Sequence, residues 1–117
     1  LRIAPVDVIT GGERDRPGEG WHAWDGDTNT AWTGTGGAGG WWMTAVFDPP
    51  AAWDRLDLPA NNGAATNMLL YRSMDADHWI PVTRSPTNGP VTSTYLWLVW
   101  PDDGESGPPS IREIYLR

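Results

Sequence analysis

Every apolar run in this chain is cut short by a cluster of glycine, proline, asparagine or aspartate. The clusters are GGERDRPGEG (11–20), TGTGGAGG (33–40), LPANNGAATN (58–67), SPTNGP (85–90) and PDDGESGPPS (101–110). Glycine and proline break helices and populate turns, and the sequence holds 14 of the first and 11 of the second. Between the clusters the pattern has period two and is rich in β-branched and aromatic residues. Candidate strands fall at 3–10, 42–47, 53–58, 67–73, 79–83, 92–100 and 111–117. No stretch shows a helical period with caps. Several short strands at this spacing make an all-β antiparallel sandwich or barrel.

The chain of 117 residues is long enough for one domain with a modest core and shows no internal linker. It begins at Leu without a visible signal peptide and reads as a piece excised or processed from a larger protein. The Gly-rich segment 33–40 lacks the lysine and following helix of a phosphate loop, so it reads as a connection. Trp-Asp occurs at Trp24-Asp25 and Trp53-Asp54, but one propeller blade takes about 40–45 residues and a ring needs several.

Charge and composition exclude several partners. The net charge is -7, and all eight positive side chains are arginine. Such a chain is repelled by phosphate backbones, which argues against nucleic acid. There are no cysteines, so neither disulfides nor thiolate zinc sites are available. The longest clean apolar run, YLWLVW (95–100), is far shorter than the ~20 residues that span a bilayer.

One stretch carries candidate metal chemistry: HAWDGDTNTAW (22–32), where Asp25, Asp27 and Asn29 recur at every second position. They copy the first three ligand positions of an EF-hand loop. The match then fails, because the sixth position is Thr30 and the twelfth Gly36. An oxygen-rich loop of another kind still suits calcium, which accepts six to eight oxygens flexibly. Asp and Asn also brace turns by bonding their own backbone. On spacing alone both readings stay open, with the turn slightly ahead.

Wider context adds to this. DGDTNTAW, GGWWMTAVFDPPAAWDRLDL, YRSMDADHWIPV, TYLWLVW and SIREIYL follow one another in order along nearly the whole chain. This succession resembles the discoidin, or coagulation-factor 5/8 type C, family, and most of all the family 32 carbohydrate-binding modules. The resemblance implies a jelly-roll β-sandwich of the galactose-binding-like type, spanning 1–117 as one domain. It also implies a structural calcium that pins the first long loop to the start of the last strand. Asp25 and Glu113 would then give carboxylate oxygens, and Thr30 its hydroxyl and carbonyl. His22, Asp27 and Arg112 would give backbone carbonyls. Sodium fits the same oxygen cage.

Nine tryptophans against one phenylalanine are the compositional outlier. Each buries about 150–250 Å², and not all can fit inside so small a domain. The resemblance assigns Trp32, Trp42 and Trp79 to packed positions and has Trp24 and Trp53 replacing aliphatic core residues. Trp97 is out of phase with Leu96 and Leu98 and should face the other side of its strand. Trp21 and Trp41 end the loops 11–20 and 33–40.

In the family those two loops and the one at 59–67 form the ligand site at one end of the sandwich. Aromatic faces suit the weakly positive axial C–H groups of a pyranose. Amides and charges at the rim, each bond worth about 1 kcal/mol net, satisfy the hydroxyls. The expected ligand residues are therefore Trp21, Trp41, Asn61, Asn62, Asn67 and Arg16, with Glu13, Arg14 and Asp15 beside them. The competing readings are that Asn61-Asn62-Gly63 is only a turn, and that Trp41 simply lies over Trp42. Thr33 and, approximately, Ala60 stand where galactose-binding members commonly carry a His and an Arg, which argues against terminal galactose. The strong negative charge argues against anionic membranes.

Only two histidines are present, and no G-x-S-x-G elbow accompanies the five serines. Asp102, Asp103 and Glu105 cluster in one loop and read as a solvated acidic segment. The expectation is a non-enzymatic module that binds glycan weakly, secreted or at the cell surface, in a larger parent protein. The alternative is a structural or protein-contact domain that uses the same sandwich and binds no sugar.

Overall fold

The computed structural model describes residues 3–11, 23–24, 32–33, 40–58, 68–87, 89–101, 110–111 and 113–117. Nine strands run through them: β1 (Asp7–Gly11), β2 (Trp32–Thr33), β3 (Trp41–Trp53), β4 (Leu56–Asp57), β5 (Leu69–Ser73), β6 (Ile80–Pro81), β7 (Val91–Trp100), β8 (Ser110–Ile111) and β9 (Tyr115–Leu116). No α-helix occurs among the described residues. The main sheet is antiparallel in the order β1-β3-β7-β5-β6, and β2-β8 and β4-β9 form two short ribbons. The all-β expectation stands, and five of the seven candidate strands overlap one observed strand each. The other two divide: 53–58 holds the last residue of β3 and all of β4, and 111–117 is split between β8 and β9. β2 was not foreseen, because two residues carry no period.

β3 and β7 are the long central strands. Their register slips between Val46 and Ala51. Asp48, Pro49 and Pro50 are exposed there, and proline cannot donate to a ladder. The Asp48–Pro49 peptide bond is cis. Beyond this bend β3 continues to Trp53, whose indole Nε1–H donates to Ser93 Oγ at 3.1 Å in the buried interior. β3 therefore runs from the expected strand 42–47 through the bend to Trp53, the first residue of the expected strand 53–58: the two prolines interrupt the ladder without ending it.

Period two sorts the central strands into an inner and an outer face. Inward lie Trp41, Met43, Ala45 and Phe47 of β3, Leu96, Leu98 and Trp100 of β7, and Leu70 of β5, all buried. Trp24, Trp32, Leu56, Ile111, Ile114 and Leu116 complete the same core cluster. Trp32 packs on Trp100 with ring centroids 5.2 Å apart. Trp24 meets Phe47 edge-on at 6.1 Å and donates its indole N–H to the Met43 sulfur at 3.2 Å. The β4–β9 ribbon is closed by Arg117 N–H to Arg55 C=O at 2.9 Å and Asp54 N–H to Arg117 C=O at 2.6 Å.

The tryptophan assignment needs correction at three positions, Trp41, Trp42 and Trp79. Trp24, Trp32 and Trp53 are core, as expected, but Trp42 and Trp79 are only half-buried. Trp41 and Trp100 are inside in their place, at 4% and 1% exposure. The reason is phase. Trp41 shares the parity of Met43, Ala45 and Phe47, while Trp42 shares that of Thr44 and Val46. A shift of one residue moves a whole strand's side chains to the opposite face.

Candidate functional site

The expected metal set can be followed through its flanks. His22, Asp25, Asp27, Thr30 and Arg112 lie outside the described residues. Glu113 is described and is 1% exposed. A carboxylate so deeply buried requires compensating charge or donors, and it takes part in interactions there. The backbone on either side of the candidate loop is anchored to the chain around this glutamate. Ile114 N–H donates to Ala23 C=O at 2.7 Å, and Trp32 pairs with Ile111 across β2 and β8. Ala23 and Trp32, on either side of residues 25–31, are therefore both bonded to the segment that carries Glu113. A buried carboxylate there has the chemistry to hold a cation. No cluster of three or more metal-ligating side chains occurs among the described residues alone.

Of the expected ligand set, Trp21, Arg16, Asn61, Asn62 and Asn67 lie outside the described residues. Trp41 is described, and it is a core residue. It is 4% exposed and pairs in register with Trp100 on the inner face of the main sheet. The buried indole N–H groups of Trp41 and Trp100 have no hydrogen-bond partner among the described residues. The loop that ends at position 40 delivers a core residue first and an outward residue, Trp42, second.

The structure gathers a different set of aromatics on the outer face of the main sheet. Directly paired residues of an antiparallel sheet share a face. One such line crosses all five strands: Ile9, Thr44, Trp97, Tyr71 and Pro81. The next line holds Trp42, Val99 and Leu69; the line on the other side holds Asp7, Val46 and Tyr95. Trp97 is the hub. Its ring centroid lies 5.2 Å from that of Tyr71 and 5.4 Å from that of Trp79. Trp79 in turn meets Tyr95 at 6.3 Å. Trp42, Thr44, Trp79 and Trp97 line an open cleft of about 210 Å³. Sequence reasoning had placed Trp97 outward but missed the cleft, because two of its walls were assigned to the core. The parity of Met43, Ala45 and Phe47 was the signal that could have found it.

Trp79 is presented by a tightly bonded turn. Ser73 Oγ donates to Asp75 Oδ1 at 3.1 Å and accepts from the N–H groups of Asp75 and Ala76. Asp75 Oδ1 accepts from the N–H groups of Asp77 and His78, each at 2.9 Å. The His78 ring Nδ1 lies 2.7 Å from Asp75 Oδ2. Hydrogen bonds from the His78 backbone, its ring and the Asp77 backbone hold the Asp75 carboxyl well below the usual carboxylate range. Serine, aspartate and histidine meet here, but the serine's oxygen bonds the carboxylate and the turn backbone, and the imidazole's partner is Asp75. The arrangement fixes a turn.

Comparison with solved structures places this architecture. A pectin-binding carbohydrate-binding module matches with a TM-score of 0.71 and 20% identity, over 98% of this chain and 91% of its own. The fold is that of the carbohydrate-binding modules. A family 32 module from Clostridium perfringens, solved with GalNAc-β-1,3-galactose, matches at 0.70 and 18% identity, over 94% of this chain and 93% of its own. A chitosan-binding module from a Paenibacillus chitosanase/glucanase matches at 0.72 and 16% identity, over 98% and 96%. The chain thus shares the galactose-binding-like β-sandwich fold of these modules. No protein-family model and no curated protein matches the sequence. Among the described residues no helix is long and apolar enough to cross a membrane.

Proposed function

We propose that this chain is a non-catalytic carbohydrate-binding module with a structural calcium, serving a larger secreted or cell-surface protein. The observation that carries the reading is the fold: over 94% or more of its length the chain follows modules solved as binders of pectin, a GalNAc-galactose disaccharide and chitosan. The Paenibacillus module derives from a chitosanase/glucanase, which supports a parent protein that acts on polysaccharide. Ligand contact through the loops at 11–21 and 59–67 gives a shallow site, weak on its own and effective through multivalency. Calcium, held by Glu113 with His22, Asp25, Asp27, Thr30 and Arg112, stitches the first loop to the last strand. Bound there, it neutralises a buried carboxylate.

Affinity electrophoresis through gels containing soluble polysaccharide tests the loop site. Retardation of the wild type that is lost in Trp21→Ala, with an unchanged fold, is the expected result. Trp41→Ala is not a contact probe, since it removes a core ring. The burial of Trp41 favours the second reading, a structural or protein-contact domain that binds no sugar. Unretarded migration in every gel would support it.

A further inference from the structure

We infer that the cleft between Trp42, Thr44, Trp79 and Trp97, on the outer face of the main sheet, is a second saccharide site. It takes a pyranose unit that carries no carboxylate, either a neutral hexose or a hexosamine. The inference rests on the carbohydrate-binding reading above.

Three observations lead there. First, the lining joins ring faces to unspent donors. The indole N–H groups of Trp42, Trp79 and Trp97, and the hydroxyl of Thr44, have no protein hydrogen-bond partner among the described residues, and none of the three indoles is among the buried unsatisfied groups. Negative ring faces meet the axial C–H groups of a sugar, and N–H and O–H donors meet its hydroxyls. A purely apolar partner would leave those donors stranded on burial.

Second, the size suits a ring in an open groove. The volume of about 210 Å³ is below the roughly 300 Å³ at which pockets for drug-sized molecules begin. One pyranose can seat against Trp97 while its neighbours in a chain continue along the sheet. Tyr71 and Pro81 extend the line across β5 and β6.

Third, charge decides the class of sugar. Among the described residues no outward position on the face carries an arginine. The carboxylates near it are Asp7, in line with Val46 and Tyr95, and Asp75 and Asp77 in the exposed turn that leads to Trp79. Arg72 has the opposite parity, and its guanidinium donates to Thr92 C=O at 3.4 Å. Among the described residues of the face a uronic acid would meet carboxylates and no arginine, whereas an ammonium group over an indole gains a cation–π contact.

The test is a ¹H–¹⁵N titration that follows the indole N–H signals of the folded wild type in calcium. Chitosan hexamer, chitin hexamer, cellohexaose and hexagalacturonate serve as probes. Saturable shifts of the Trp42, Trp79 and Trp97 signals with at least one of the first three, and none with hexagalacturonate, are expected. Trp97→Ala should weaken that binding about tenfold. Trp42→Ala should weaken it too, and supplies the answer if the first variant does not fold. Shifts confined to Trp21 would overturn the sheet-face site and leave the carbohydrate-binding reading standing. Equal response to hexagalacturonate would overturn the assigned class. No shift with any sugar would overturn both readings. Shifts of the three signals with protein concentration alone would make the face a contact between copies.

Discussion

At the scale of single residues, the chain separates similar side chains by environment. Trp41 and Trp42 are neighbours, yet one is 4% exposed in the core and the other lines an open cleft. No composition or propensity argument divides them; only strand parity does, and that requires the register of β3. The same scale holds a pH-dependent element. Asp75 is depressed below its ordinary 3.8 by hydrogen bonds from the folded turn, so folding favours its ionised form. Its contribution to stability is complete above the ordinary value and is lost as pH falls through it toward the folded value. Asp75→Asn is expected to lower stability at pH 7 and to give a shallower decline below about pH 4, read by urea unfolding across the acid range. Parallel pH curves for variant and wild type would contradict this.

At the scale of elements, β7 carries the argument. Leu96, Leu98 and Trp100 face the core, and Trp97 faces out. Leu98→Ala is expected to cost about 2–5 kcal/mol by leaving a cavity in a site fully closed to solvent. Trp97→Ala, on an open face, should cost distinctly less stability while affecting the cleft. Denaturant midpoints of the two variants check this, and equal losses would contradict the face assignment. Strand positions were readable from turn clusters because glycine and proline punctuate strongly. The bend at 48–50 and the two-residue β2 were not, since each depends on tertiary pairing. The loop ligand residues other than Trp41 lie outside the described residues, and the sheet-face cleft was hidden by the core assignment of Trp42 and Trp79.

At the scale of the whole molecule, two short ribbons close one face of a five-stranded sheet, and the chain around Glu113 anchors both ends of the first loop. If calcium sits there, it binds the folded state alone and stabilises it by mass action. The gain is about 2.7 kcal/mol at a hundred times its dissociation constant. Added calcium should therefore raise the thermal midpoint and excess chelator should reverse the rise, with Glu113→Gln insensitive to both. A midpoint indifferent to calcium in the wild type would contradict the metal assignment without touching the fold. The overall architecture was legible because five weak sequence patterns fall in order along the chain, and similar solved structures span nearly all of it. The central claim is that this sandwich binds saccharide. A glycan array probed with the folded wild type in calcium tests it most directly. Weak, saturable binding to at least one class of neutral or amino-sugar oligosaccharide is the predicted result, and a blank array from folded protein would contradict it.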